Sequence, residues 1–249
     1  MSDPVTIVTL KWGARYGPEF ANKLRRSVGR HLLRPHRFVC FTDSADGLER
    51  GIEAFPIPSI DLPPAAISSG WRKLCLFRDD LPLRGLCLFL DLDLLVCGAL
   101  DDFFTFSQPE TVPIIHNWVP WRKRLLRPDP QIGNSSVFRF QANRCRFVWD
   151  QFQREREWAL ANFRPPQSYL THCIRPRMVY WPDEWVRSFK RHCMHPFPLN
   201  LLLKPRLPAR ARMVAFHGRP DPDEAAQGYR DAKLRHRCLP APWITEHWR

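Results

Sequence analysis

The 249-residue chain lacks any uninterrupted apolar run of the ~18 residues that a membrane-spanning helix requires. The longest candidate, Gly85 to Leu100, is broken by two aspartates. The opening MSDPVTIVTLKWG has no basic region leading into a long apolar stretch, so no secretory signal is expected. The eight Cys form no C-x-x-C pair, and Cys40, Cys75, Cys87 and Cys97 sit inside apolar runs, where a free thiol behaves as a small hydrophobe. Reduced thiols and a cytoplasmic location, free or peripheral at the inner face of a membrane, are therefore expected. Internal repeats and low-complexity tracts are also missing. So are helix-turn-helix, RNP and zinc-finger patterns. Acidic residues are scarce, with 25 Asp and Glu against 38 Lys and Arg, and the resulting charge of +13 is concentrated after residue 120. Such an excess fits a nucleic acid, a phosphorylated substrate or an anionic membrane surface as partner, or a basic proteome solving its solubility problem. Composition leaves these open.

What is present is the material of a folded core: 44% hydrophobic and 12% aromatic residues, with 10 Trp and 17 Phe. Val5–Leu10 reads as a first strand. Phe20, Leu24, Val28 and Leu32 line one face of a helix over Phe20–Leu33. Arg37–Thr42 reads as a second strand, the Pro-rich residues 54–66 as an extended connection, and Trp71–Phe77 as the start of a helix. Leu86–Leu90 is a central strand, Asp101–Phe104 a short helix start, Pro113–Trp118 a fourth strand and Ser135–Phe140 a fifth. A helix over Cys145–Phe163 closes at Pro165-Pro166, and the chain beyond is irregular, Pro- and Arg-rich. Alternating strands and helices predict an α/β fold with a mostly parallel sheet, in one domain.

Within LCLFLDLDLLVCGALDDFF, residues 86–104, Asp91 and Asp93 alternate with apolar residues. In a continuing strand both carboxylates point to one side, at the carboxyl end where open α/β sheets bind ligands. Two buried like charges call for a cation, and a hard divalent ion, Mn²⁺ or Mg²⁺, suits oxygen ligands. The other reading is a strand end whose aspartates face solvent or cap the next helix.

FLDLDLLVCGALDDFF resembles the D-x-D signature of A-type-fold glycosyltransferases, in particular the retaining enzymes of glycosyltransferase family 8 and their bacterial relatives. The resemblance implies a single Rossmann-like domain. Residues 1–110 would form the nucleotide-sugar-binding half, and 111–249 the acceptor side with a C-terminal metal-ligand loop. It implies that Asp91 and Asp93 hold the metal on the diphosphate of a donor, UDP-sugar favoured, with Asp91 also on the ribose. Thr9-Leu10 falls where the family places the base. Lys73, in Gly70–Leu74, matches its basic residue near the donor, and Asn134, in Gly133–Val137, matches an Asn that touches the donor sugar. Phe216–Pro220 resembles the element whose His is the third metal ligand, which points to His217. That element's Lys has no match, with Arg219 the nearest cation. An Asp-Gln pair is reduced to Gln167, placed by resemblance near the anomeric carbon. The implied activity is metal-dependent transfer of a sugar, with retention, to a saccharide, lipid-linked or protein acceptor.

Two other classes remain readable. A non-enzymatic nucleic-acid binder would use Arg122-Lys123-Arg124 and Lys204–Arg212, but leaves the D-x-D strand unexplained. A nucleotidyltransferase would want a Gly-rich phosphate loop, of which Gly13 and Gly17 make a poor version. His192-Cys193 with His195, and His172-Cys173, match no closed zinc spacing and read as core or surface residues. Asp101-Asp102 reads as a helix N-cap or as extra metal carboxylates. Trp118, Trp121, Trp181 and Trp185 read as core or as sugar-stacking faces.

Overall fold

The computed structural model describes residues 4–67, 69–118 and 132–249; Trp121 and Arg122-Lys123-Arg124 lie outside the described residues. Strand β1 (Val5–Lys11) is buried from end to end. Its side chains leave alternately toward two cores, Val5 and Ile7 into one and Val8 and Leu10 into the other. Helix α1 (Pro18–His31) lays Phe20, Leu24 and Val28 on the first core. Pro18 and Glu19 in its first turn and Arg30 and His31 in its last suit the helix dipole. Then follow β2 (His36–Thr42), β3 (Glu53–Pro56), the short α2 (Pro64–Ile67), a 3-10 helix over Gly70–Phe77, β4 (Leu86–Leu90), β5 (Leu94–Val96) and β6 (Val112–His116). The chain continues through β7 (Gly133–Gln141), α3 (Arg146–Asn162), α4 (Pro166–Ile174), β8 (Met178–Tyr180), β9 (Val186–Ser188), β10 (Met213–Ala215), α5 (Pro222–Gln227) and α6 (Trp243–His247).

The main sheet has seven strands in the order β3-β2-β1-β4-β7-β6-β8. Only β7 runs against its neighbours, so the sheet is mostly parallel. The 3-10 helix, α3 and α4 cover the face that carries Phe89, Phe138 and Phe140. The other face, with Leu88, Leu90 and Val137, is covered by α1 and by a second sheet, β5-β10-β9. Apolar faces on both sides of a sheet need this three-layer arrangement. Among the described residues no helix is long and apolar enough to cross a membrane.

Several expectations change. Asp91 and Asp93 do not lie in a strand: β4 ends at Leu90, and both sit in the turn that leads to β5. The pleat argument therefore fails, and the turn itself presents the carboxylates. The Pro-rich stretch contains β3, paired in parallel with β2, and α2. Trp71–Phe77 forms a 3-10 rather than an α-helix. The expected fourth strand is the sixth and stops at His116, while the fifth is the seventh and antiparallel. The region after residue 165 is not irregular: it supplies α4, β8 and two strands of the second sheet. Asp101 does not cap its own helix; it accepts N–H bonds from Leu33 and Arg34 just after α1, and Asp102 pairs with Arg212 at 2.6 Å. Trp181 and Trp185 pack on Phe103 within the core.

One polar side chain ties the two layers together. Arg139 on β7 is fully buried, and burial pulls its guanidinium down to about 10. It donates to the carbonyls of Phe103 (3.2 Å), Ser107 (3.0 Å) and Gln108 (2.8 Å), closing the connection between β5 and β6. Removing the donor strands those buried acceptors, each lost partner costing about 1–3 kcal/mol. Arg139→Met is expected to lower the unfolding free energy by on the order of 3 kcal/mol in urea titration.

Candidate functional site

At the carboxyl ends of β1 and β4 the sheet opens into a cavity of about 460 Å³, with Leu10, Trp12, Tyr16, Lys73, Asp91 and Asp93 among its walls. The segment after β1 forms one wall. Gly13 takes φ +64°, a conformation that favours glycine, and donates its N–H to Asp43 at 2.7 Å. This turn brings Tyr16 over the site, where its hydroxyl donates to Asp93 Oδ2 at 3.0 Å.

The opposite wall is built around Lys73. The 3-10 helix carries it beneath the end of the sheet, where it is nearly fully buried. Its Nζ lies 2.7 Å from Asp91 Oδ1 and 2.9 Å from Oδ2, and it donates to the Ser135 carbonyl at 3.0 Å. Asp91 N–H extends the β4–β7 ladder to the Ser136 carbonyl, which fixes the carboxylate at the strand end. Asp93 is held by the Tyr16 hydroxyl instead. Burial first, and then the neighbouring Asp91, push its carboxyl up to about 7. Burial and Asp93 likewise drive the Tyr16 phenol above its ordinary range.

The remaining residues singled out from the sequence are less closely gathered. Leu10 lines the cavity, whereas Thr9 is buried and its hydroxyl has no partner among the described residues. Asn134 begins β7 with its carboxamide oxygen accepting the Ser136 N–H at 2.9 Å. Gln167 lies in the first turn of α4, and Thr171 of that helix accepts the Gly133 N–H at 2.9 Å, so α4 is tied to the start of β7. Arg219 is exposed and lies 3.6 Å from Glu224. His217 follows β10, whose antiparallel pairing with β5 lets Phe216 N–H donate to the Asp93 carbonyl at 3.0 Å. Its ring turns elsewhere: Nε2 is 2.6 Å from Ser188 Oγ, and Trp118 stacks on it. The residue as a whole is exposed, yet desolvation of its ring, then Lys190, lowers its pKa to about 4.

Tyr16, Arg15, Trp12 and Asp221 were not singled out. The sequence signal for Trp12, Arg15 and Tyr16 is the Gly-containing KWGARYG segment after the first strand, and Asp221 lies outside it. Asp221 precedes α5 and lies 3.6 Å from Arg15; one of its oxygens is buried without a hydrogen bond among the described residues. A divalent cation fits Asp91 and Asp93, whose crowding and burial it would relieve. Among the described residues, however, no three His, Cys, Asp or Glu side chains are gathered to hold one.

No family model matches the chain. A 70-residue stretch is 39% identical to the LTV1 homologue of Xenopus laevis, and the match spans 28% of this chain and about 14% of the length of that protein. The fold is similar to that of the galactosyltransferase LgtC in complex with donor and acceptor sugar analogues: TM-score 0.62 at 14% identity, covering 87% of this chain and 88% of that one. An active-site mutant of LgtC gives a TM-score of 0.66 at 16% identity over 97% and 94% of the two chains. The glycosyltransferase GlyE of Streptococcus pneumoniae TIGR4 gives 0.59 at 13% identity, covering 87% of this chain and 56% of GlyE. The chain thus has the Rossmann-like A-type glycosyltransferase fold.

A carboxyl whose pKa is raised on folding removes stability as pH climbs from its unfolded value of ~4 to its folded value. For Asp93 that window ends at about 7. In chelator, Asp93→Asn is expected to melt above the parent protein at pH 8, with the gap narrowing toward pH 5 in thermal unfolding scans.

Proposed function

We propose that the protein is a glycosyltransferase that moves a sugar from a nucleotide-diphosphate donor, UDP-sugar favoured, to an acceptor hydroxyl. The observation that carries this reading is the Asp91–Asp93 turn at the carboxyl end of β4, open to a cavity in a fold shared with donor-binding transferases. Residues 1–110 would form the donor half and 111–249 the acceptor side. The acceptor would be a saccharide or a lipid-linked or protein-borne hydroxyl, handled in the cytoplasm or at the inner face of a membrane.

In transfer, the bond from the anomeric carbon to the diphosphate oxygen breaks and its electron pair leaves with the diphosphate. The bond to the acceptor oxygen forms, and the acceptor proton leaves with the departing group. Stabilising that growing negative charge is the main task of the site. Asp91 and Asp93 would hold Mn²⁺ or Mg²⁺, with His217 as third ligand; the ion would supply charge neutralisation on the diphosphate. The Phe216–Asp93 hydrogen bond sets His217 beside the pair, and its ring would turn from Ser188 to take that role.

Lys73 would orient Asp91 rather than meet the donor first, because its ammonium is already committed to Asp91 and Ser135. Tyr16 would hold Asp93 and close the cavity over the donor. Thr9 and Leu10 would flank the base. Asn134 would meet the sugar, and Gln167 would lie beside the anomeric carbon, with retention of configuration. Arg219 would add a cation at the phosphates.

Nucleotide release from UDP- and GDP-sugars with Mn²⁺ tests the reading. Asp91→Asn and Asp93→Asn are each expected to lower turnover by about 100-fold or more. Unchanged turnover in both would overturn the assignment of the two carboxylates.

A further inference from the structure

Among the described residues nine large hydrophobic side chains are exposed, and five of them, Phe197, Leu199, Leu202, Leu203 and Leu234, belong to two adjoining segments. Leu202 alone is 74% exposed. Asn200, itself only 1% exposed, joins the segments: its side-chain amide donates to the carbonyls of Leu234 (3.0 Å) and Arg237 (2.8 Å). Main-chain bonds from Leu201 to Pro198 and from Leu203 to Leu199 hold the leucines on a tight turn. The apolar surface is therefore built outward by buried hydrogen bonds instead of folding back onto the core. An exposed cluster of this kind marks an interaction surface.

The charge around it has one sign. From Lys190 to Arg219 the chain carries seven Lys and Arg and no Asp or Glu. Lys204, Arg206, Lys233 and Arg235 are exposed around the leucines. The nearby acid Asp231 is already engaged, accepting the Lys233 N–H at 2.8 Å and lying 3.8 Å from His236. Beside Phe197 opens a cavity of about 540 Å³ whose walls include Lys190, Arg191, His195 and His217. His195 Nε2 is buried there without a hydrogen-bond partner among the described residues.

We propose that residues 196–204 and 233–235 dock the protein onto an anionic lipid bilayer, with the leucines entering the headgroup–acyl boundary and the cations meeting lipid phosphates. A second copy of this chain fits poorly, since it would bring the same basic rim and a charge of +13 against itself. A bilayer needs no matched shape, takes up scattered leucines, and offers the opposite charge as a sheet. This inference goes beyond the transfer reaction and stands whether or not that assignment holds. If both hold, the membrane lies on the His217 side of the molecule, where a lipid-borne acceptor would reach the cavity at Asp93.

Sedimentation with vesicles of phosphatidylcholine, with and without about 30% phosphatidylglycerol, tests it. Binding is expected only to the anionic vesicles, and is expected to weaken as salt is raised. Leu202→Asp with Leu203→Asp should lower the apparent affinity by at least about tenfold with melting temperature and nucleotide-sugar hydrolysis unchanged. Leu202→Ser provides a milder variant in case the double change perturbs folding. Failure of the parent protein to bind anionic vesicles, or binding that both variants retain, would overturn the proposal. So would a concentration-dependent dimer, seen by sedimentation equilibrium, that Leu202→Asp dissolves.

Discussion

The site depends on one buried ion pair. Lys73 reaches up from the 3-10 helix to Asp91 while also bonding the Ser135 carbonyl, so one ammonium joins the covering layer, β4 and β7 at the point where the sheet ends. Without a partner, a carboxylate at the tip of a strand as apolar as LCLFL would be too costly to keep ionised. With it, Asp91 is paired and held in place, and burial beside Asp91 raises the pKa of the next carboxylate in the turn, Asp93. The asymmetry is useful chemically. One carboxylate is prepaired and rigid, and its neighbour has a protonation that an arriving cation would displace.

The two faces of the main sheet divide the labour around that pair. The face covered by the 3-10 helix, α3 and α4 delivers Lys73 and orients the start of β7. The face covered by α1 and the second sheet delivers Tyr16 and brings the C-terminal segment with His217 alongside Asp93. Neither layer alone builds the cavity. Arg139, spanning from β7 to the carbonyls of residues 103–108, ties the strand that buttresses Asp91 to the layer that carries the second sheet.

Much of this was legible in the residues, for identifiable reasons. Val5–Leu10 is apolar and β-branched enough to declare itself, Leu86–Leu90 is an unbroken apolar run, and the α1 stripe of Phe20, Leu24 and Val28 has an unambiguous helical period. The Asp91–Asp93 pair stood out because charge inside such a run is expensive. The three-residue strands β5, β9 and β10 were not legible: three residues cannot express a period of two, and their pairing is decided by partners up to about 120 positions away. The turn at Asp91–Asp93 was mistaken for strand because its composition, Asp-Leu-Asp between leucines, keeps the alternation after the backbone has left the ladder. Tyr16 and Arg139 were invisible for a related reason. A lone tyrosine in a Gly-containing loop and a lone arginine in a strand acquire meaning only from the groups the fold sets against them.

The pairing of β10 with β5 also governs the order in which the molecule can be completed. Phe216, whose N–H meets the Asp93 carbonyl just after β10, lies far along the chain from Asp93 and so leaves the ribosome well after it. Until then the edge of β5 is bare on that side, and the carboxylate turn has only its Tyr16 wall and its Lys73 floor. A nascent chain therefore carries the motif long before it carries the finished pocket, and the site closes only once the β10 segment has been made.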